Sequence, residues 1–575
     1  MLKGGMWSKY CIRIMFDYLF DIAIQFNEKG KVTMKKTMLY FLSLLLILSL
    51  SLVGCSSNEK TEVSQQDGGP LKIKVFGPQN AETDLETNSF TTFAEEKFNI
   101  DLEWQVTTYD ATSASEVRNI ALASGDYPEV FFLVPWVDQF SQTDLLRYGK
   151  QGVVLPLNDL IDEYAPNIKE VIENHPYYAS MITAPDGNIY GLPHLNECFH
   201  CSYGNKLWMN TDWLEKLDLD MPTTTEEFKD VLTAFKTQDP NGNGKQDEVP
   251  MSGSPALIES SIIPYLMNGF IYDDSRSRLL LENGKVDLAA NKDEWKEGLA
   301  YIKSLYEEGL IDKGAFSQNI EAHQKLGNNA EIQIVGASTA MHPGMFVTDE
   351  EYSKDYDALA PLKGPNSEYS TYNFPSSPGG AFVITNKASE EAQIAAIKLV
   401  DYMFTEEGLI RSFYGEKDVS WREPKEGEVA IEESAEPILA QIQLEEGEEP
   451  RNDNWTSMVQ FYHSREHRDG LVQATDIYTS EGYERRLQEA THLYEGKEPS
   501  EVFPHWAIWI DPAVADEAAM IQTNIVDYIE QNSLQFITGT KDLDKEWDSY
   551  VKGFEQLNLK RYLEIMQEAY DTSSL

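Results

Sequence analysis

Residues 239–250 read DPNGNGKQDEVP, and this is where the spacing of chemically capable side chains is most specific. Counting Asp239 as the first position, oxygen side chains fall at Asp239, Asn241, Asn243 and Asp247. Gly244 takes the sixth position, where a cation-binding loop makes its sharp turn. A hard divalent cation takes about six to eight oxygens at roughly 2.3–2.6 Å, and alternate residues of a tight loop can converge on one point. The spacing therefore predicts structural calcium. Pro250 stands where a bidentate Glu is usual, which makes Glu248 the substitute ligand. A polar turn with no metal has the same composition, because turns are also rich in Asp, Asn and Gly.

Two further groupings could do chemistry. Cys198 and Cys201 form Cys-Phe-His-Cys, with His194 and His200 close in sequence. A small structural disulfide, a pair of buried thiols, or redox or metal chemistry all fit that spacing. His463 and His467 stand four apart around Glu466, but the order is not H-E-x-x-H, so a solvated helix face is the expected reading. There is no G-x-S-x-G elbow, no phosphate-binding loop and no dinucleotide fingerprint. With 95 acidic residues, carboxylate pairs arise by chance and discriminate nothing.

The elements that must position these groups lie on the far side of an export signal. Lys35 and Lys36 precede an uncharged apolar run, 39–53, that is too short for a comfortable bilayer span of about 20 residues. It ends in Leu-Val-Gly-Cys, which resembles a bacterial lipobox; in such signals the cysteine, here Cys55, is acylated by fatty acids such as palmitate and becomes the first mature residue. Residues 1–33 mix acidic and apolar residues ahead of the basic segment, so Met34 is the expected start, 34–54 the signal peptide and 55–70 a polar linker. The net charge of −48 repels a phosphate backbone and excludes nucleic acid as a partner. With 42% hydrophobic residues, the acidity coats a folded surface, and the length predicts two domains.

Along the chain, 71–76 alternates and reads as a strand, 87–98 as a helix, 102–106 as a strand and 117–123 as a helix; VFFLV at 130–134 is an unbroken apolar run, as in a parallel strand buried on both faces. This is an α/β pattern. KLWMN at 206–210 reads as a strand; Thr224 and Glu227 predict a capping box, GGAFVIT at 379–385 a strand, 389–405 a helix, and 547–566 an amphipathic helix or helix pair. Among 11 tryptophans and 29 tyrosines, most are expected in the core. Trp136, Tyr203, Trp208 and Trp421 follow predicted strand ends or turns and are the candidates for stacking on sugar rings.

Taken together, the lipobox, SGDYPEVFF at 124–132, DGNIYGLP at 186–193, LWMNTDWLEKLDLDMPTTTEEF at 207–228, the cation loop and PGGAFVITNKASEEAQIAAIKLVDYMFTEEG at 378–408 resemble the family 1 extracellular solute-binding proteins of ABC importers, in their long Gram-positive lipoprotein branch. The resemblance implies an α/β, two-lobed periplasmic-binding-protein-like fold (type II) with crossing hinge strands near 206–209 and 379–384 and a helical C-terminal extension. The first lobe would be 71–206 plus about 380–430, and the second 207–379 plus about 431–575. Alginate-binding members carry a similar D-x-N-x-N-G-K-x-D-E loop, which implies ligation by the Asp239, Asn241, Asn243, Asp247 and Glu248 side chains and the Lys245 carbonyl. The implied protein is a monomeric, lipid-anchored receptor on the extracellular face of the cell membrane. It catalyses nothing; it binds an oligosaccharide and hands it to ABC permease subunits. The alternative is a secreted, calcium-stabilised polysaccharide-degrading enzyme, and an adhesin or sensor subunit is a third possibility. The cysteine pair matches no motif of the family; oxidised, it would stiffen one edge of the cleft.

Overall fold

In the computed structural model, residues 69–575 are described, apart from 330, 375, 446, 459, 460 and 574. Cys55, the signal and the linker up to residue 68 lie outside them. No described helix is long and apolar enough to cross a membrane.

Strand β1 (Leu71–Pro78) begins with alternating burial and is then buried continuously from Val75. That switch matches its position, because it is flanked on both sides by parallel partners. It pairs with β2 (Ile100–Thr107) from Leu71↔Ile100 onward and with β3 (Val130–Phe132) at Val75↔Val130. Helix α1 (Ser89–Phe98) joins β1 to β2 and starts at Asn88, whose side chain accepts from the Phe90 and Thr91 N–H groups. Helix α2 (Ala111–Ser124) joins β2 to β3, capped by Asp110 and stopped by Gly125 at φ 78°.

The chain then reaches β4 (Leu195–Asn196), the single turn α3 (Phe199–Ser202) and β5 (Lys206–Asn210), which is buried along its whole length. Helix α4 (Thr225–Thr237) carries the expected capping box, Thr224 and Glu227 bonding each other's backbone N–H. Strands β6 (Ala337–Ala340) and β7 (Tyr356–Leu359) flank β5, both antiparallel. Strand β8 (Phe382–Ile384) returns to the first sheet, antiparallel to β3, giving the order β8-β3-β1-β2; α5 (Glu390–Met403) packs beneath it.

Two separate cores follow from these sheets. One gathers Val75, Phe90, Phe132, Phe382 and Val400, and the other Leu207, Trp213, Phe235, Trp295 and Trp547. Each fully buried apolar side chain is worth about 1.5–3 kcal/mol. Trp455, Met458 and Phe461 belong to the first core, Trp455 standing edge-on to Phe90 with centroids 4.9 Å apart. Trp455, Met458 and Phe461 therefore pack in the first lobe, whereas the sequence boundary near 430 had placed them in the second. The expected crossing at 206–209 is corrected too, since it is a sheet strand inside its lobe; of 379–384, Phe382–Ile384 is such a strand and 379–381 lie in a passage.

The passages between lobes lie just outside those strands. Strand β4 pairs in parallel with β9 (Tyr462–His463) as a two-stranded ribbon, and beyond it α6 (Arg465–Asp469) and α7 (Tyr483–His492) continue on the second-lobe side. A third passage, at 372–374 and 376–381, is held by Asn373 N donating to Ser202 O at 2.8 Å and Ala381 N to Leu192 O at 2.9 Å. The C-terminal extension comprises α8 (Pro512–Ile537), α9 (Leu543–Gln556) and α10 (Leu559–Asp571). Helix α8 sends Ile521, Ile525, Ile529 and Phe536 into the second core, while Asp516 in its first turns lies 3.9 Å from Arg147 of the first-lobe helix Gln142–Lys150.

Candidate functional site

The three parallel strands β1, β2 and β3 end on the same edge of the first sheet, the edge outside which open α/β sheets bind ligands. The segments after β2 and β3 carry Tyr109 and Trp136. Trp136 is 49% exposed although large and apolar. Its Nε1 donates to Tyr109 Oη at 2.8 Å, and Tyr109 in turn donates to the Ser457 carbonyl at 2.6 Å. The His194 ring stands edge-on to Trp136, 6.1 Å away. Behind this loop, Arg118 on α2 grips Asp138 with two bonds of 2.7 and 3.0 Å, both side chains about 5% exposed or less, and its guanidinium lies over the Phe140 ring. Such a two-pronged buried pair fixes the loop geometrically.

The second lobe offers a matching arrangement. Pairing of Lys206 with Ala340 brings the start of β5 beside the end of β6, so His200 and His342 come close. His342 stands edge-on to Tyr483, the first residue of α7, at 5.2 Å. The next residue, Glu484, accepts from His200 Nε2 at 3.0 Å and lies 3.6 Å from Arg468 Nη2. Arg468 also donates to Asn196 Oδ1 on β4 at 3.2 Å. The polar groups of the two lobes thus meet across the β4–β9 ribbon.

Five of the nine histidines, His194, His200, His342, His463 and His467, gather here. Burial, with Arg468 adding to it, holds His194 down at about 3; burial likewise holds His342 and His467 at about 4. His200 is lowered as well, burial outweighing the attraction of Glu484. All four are neutral imidazoles at pH 7. His194 Nε2 and His342 Nδ1 are buried without a hydrogen-bond partner.

Of the four aromatic candidates, Trp136 alone stands exposed at the strand-end edge. Tyr203 is 4% exposed; it donates to Glu498 at 2.7 Å and packs on Tyr372, at the junction of α3 with the third passage. Trp208 is a correction. At 1% exposure, with Nε1 donating to Ala340 O at 3.1 Å and Arg486 over its ring, it is a core residue with no face for a ligand. Trp421 packs in a separate small cluster with Tyr414, Ile431 and Leu439, its Nε1 donating to Gly415 O. His463 and His467 are also corrected, from a solvated helix face to buried groups, 1% and 6% exposed. The sequence reasoning named His194 only as a neighbour of the cysteine pair and missed His342, Arg468 and Glu484; the signal for the histidines was their scarcity and their recurrence beside aromatics.

Cys198 and Cys201 are joined in a disulfide across α3. With His200 they form the one described group whose ligand atoms lie within 4.8 Å of one another, but the disulfide uses both sulfurs, leaving only the imidazole. Fully buried Lys206 donates to the His200 and Tyr203 carbonyls at 3.1 and 2.5 Å, closing the end of this turn.

The loop after α4 folds on its own side chains. Asp239 Oδ1 and Oδ2 accept from the Asn243 and Gly244 N–H groups at 3.1 and 2.9 Å, and Asn243 Oδ1 from Lys245 N at 2.7 Å. Asn241 and Asn243 both donate to Asp247. Gly244 has φ 74°, the left-handed turn its position requires. Both Glu248 carboxylate oxygens are buried with no hydrogen-bond partner, and burial, then the nearby charges of Asp239 and Asp247, raise that carboxyl. Orphaned oxygens beside two further carboxylates fit a hard cation.

A cavity of about 380 Å³ opens at the third passage, where Phe374 and Trp506 stack at 4.7 Å. Another cavity, about 1310 Å³, lies between α10 and the strand Lys285–Leu288, lined by none of the site residues above.

The model of the family described as bacterial extracellular solute-binding protein matches residues 82–410. The fructooligosaccharide ABC transporter substrate-binding protein FusA of Streptococcus pneumoniae is 29% identical over 495 residues, 83% of this chain and 85% of FusA. Two solved FusA structures, one with kestose and one of an EF-hand mutant with fructo-nystose, give TM-scores of 0.64 and 0.62 at 26% identity, covering 87% of this chain and 99% of FusA. Lipoprotein LipO of Bacillus subtilis is 26% identical over 360 residues, 60% of this chain and 66% of LipO.

Proposed function

Because this chain belongs to the bacterial extracellular solute-binding proteins, a family of receptors and not of enzymes, we propose that it captures an oligosaccharide between its two lobes and delivers it to the permease subunits of an ABC importer. The observation that carries this reading is Trp136, a half-exposed aromatic platform at the carboxyl ends of three parallel strands, backed by a buried ion pair and with the His194 ring edge-on to it. Flat rings stack on the apolar faces of sugars, and a few convergent polar groups orient the hydroxyls. Tyr203 and Trp421 have the weaker claim of the aromatic candidates, since neither stands open at this edge.

Calcium completes the reading as a structural clamp on the second lobe, held by the Asp239, Asn241, Asn243, Asp247 and Glu248 side chains and the Lys245 carbonyl. The orphaned Glu248 oxygens support it, as does the EF-hand named for FusA. Acylation at Cys55 anchors the receptor, as a monomer, to the outer face of the cell membrane; the Leu-Val-Gly-Cys sequence and the likeness to a lipoprotein support this. The enzymatic alternative is set aside, since the family binds its substrates without transforming them.

The test is a thermal-shift and calorimetric screen of the chain from Ser56 with kestose and other oligosaccharides, each mixture assayed for product. Binding to the folded state alone should stabilise it by about 2.7 kcal/mol at a hundredfold excess over Kd, with the sugar intact. Silence toward every sugar, or cleavage of one, would refute the proposal.

A further inference from the structure

All three passages between the lobes are fastened to the single turn α3, and the Cys198–Cys201 disulfide ties that turn end to end. The first passage, β4, runs into it through Glu197, whose N–H donates to the His463 carbonyl at 2.9 Å. The second leaves β9 through Arg465. Its N–H donates to Glu197 Oε2 at 2.8 Å, and its guanidinium lies over the Phe199 ring, 3.9 Å from the centre. From the third, Asn373 N donates to the Ser202 carbonyl at 2.8 Å, and Tyr372 packs on Tyr203 with centroids 5.6 Å apart. The same turn holds α7 of the second lobe, Phe199 against His492 at 4.9 Å and His200 Nε2 on Glu484 at 3.0 Å. Phe199 and His200, the two residues that the bond encloses, are thus both spent on holding other elements.

A helical turn of four residues has little order of its own, since isolated helices shorter than about 12 residues are marginal in water. Apart from the sulfur bond, the ends of α3 are joined by a long hydrogen bond from Ser202 Oγ to the Cys198 carbonyl, 3.4 Å. The two sulfurs differ in access, Cys198 being 2% exposed and Cys201 half-buried. We propose that this disulfide is a redox-sensitive lock on the connections between the lobes: closed, it holds the turn to which all three are fastened, and reduction by a dithiol of the thioredoxin class loosens them together. One thiolate of the dithiol attacks Cys201 Sγ, the S–S bond breaks, and Cys198 leaves as a thiolate that takes up a proton. The second thiol of the reductant gives up its proton, attacks the mixed disulfide and closes a disulfide within the reductant, and Cys201 leaves as the second protein thiol. Two electrons and two protons pass to the protein. Phe199 and His200 then regain torsional freedom, and the connections that a hinge motion would bend lose a fixed anchor.

The test uses the chain from Ser56, whose only cysteines are these two, with dithiothreitol as the dithiol. Thiols are counted by alkylation and mass, and hydrogen exchange is followed residue by residue with and without reductant. The folded chain should yield two thiols, and the amides of Glu197, Arg465 and Asn373 should all exchange about tenfold faster or more, while those of β1 keep their protection. Replacing both cysteines by serine should give the fast pattern without reductant and abolish the response to it. A bond that resists dithiothreitol in the folded chain would overturn the inference. So would faster exchange confined to residues 198–202, or a serine variant that exchanges like the oxidised chain. Exchange rising through β1 as well would make the bond a staple of the whole fold and would equally overturn the lock.

Discussion

Replacing Glu248 by Gln should shift stability in opposite directions with and without calcium. The Glu248 carboxylate has no hydrogen-bond partner and feels the charges of Asp239 and Asp247, a cost that stands whenever no cation offsets it. An unsatisfied buried group costs about 1–3 kcal/mol, more when charged. Glutamine keeps the shape and removes the charge, so the calcium-free variant should gain roughly 1 kcal/mol, about 2–4 °C in Tm for a lobe of this size. With calcium the sign reverses. At a hundredfold excess over Kd the wild type gains about 2.7 kcal/mol, and loss of one charged ligand that weakens affinity tenfold removes about 1.4 kcal/mol of that gain. The assay is differential scanning calorimetry of both proteins in calcium and in chelator. Equal losses under both conditions would mean that Glu248 is an ordinary packing residue, and a wild-type melting point indifferent to chelator would refute the cation loop itself. The same carboxyl sets a pH signature. Its folded value is raised above 4.5, so the calcium-free fold holds that proton more tightly than the unfolded chain and gains stability as pH falls through the Glu248 range; calcium, which needs the carboxylate, binds more weakly there.

Four further outcomes are expected. Trp136→Ala should weaken oligosaccharide binding by about tenfold, or roughly 1.4 kcal/mol, while shifting the ligand-free melt by less than about 1 kcal/mol; calorimetric titration and melting separate the two effects. Asp138→Asn strands the buried Arg118 guanidinium and should cost about 3–5 kcal/mol in urea unfolding, much of it recovered when Arg118→Met is added. Replacing both Cys198 and Cys201 by Ser opens a short loop and should cost about 2 kcal/mol, read from the shift in denaturation midpoint. Acidification should destabilise the fold from about pH 6.5 down to about pH 4, because His194, His342 and His467 are held near 3 to 4 and the unfolded chain takes up protons that the fold refuses; the loss is absent above that window and is read from melts across the range.

What was legible in the sequence was local. The capping box of Thr224 and Glu227, the buried run at 130–132 and the turn at Gly244 each follow from spacings within a few residues. Arg468, Asn196 and Glu484 meet only because β4 and β9 lie side by side, and no periodicity announces a pairing between positions 196 and 463. Trp208 was misplaced because a strand-end rule was applied to the middle of a strand with neighbours on both sides. The helical spacing of His463 and His467 misled for a related reason. Ser464 caps α6, so His463 lies on β9, outside the helix, and reaches Tyr414 Oη at 3.0 Å. The first-lobe role of Trp455 was likewise invisible, since its partners Phe90 and Trp104 stand more than three hundred residues earlier in the chain.

Helix α8, 26 residues and thus about 39 Å long, sinks one face into the second core and touches the first lobe near its start, through the Asp516–Arg147 contact. Its neighbour Trp506 offers a carbonyl to Gln142 Nε2 of the first lobe at 3.1 Å. The three passages are the connections a hinge motion would bend, and this helix bridges the lobes away from them. Any rotation of one lobe over the other must slide the first-lobe helix Gln142–Lys150 past the α8 N-terminus or break two long-range polar contacts. The lobes are therefore joined outside the cleft as well as through the passages beside it, so packing on α8 bears on how one lobe can move over the other.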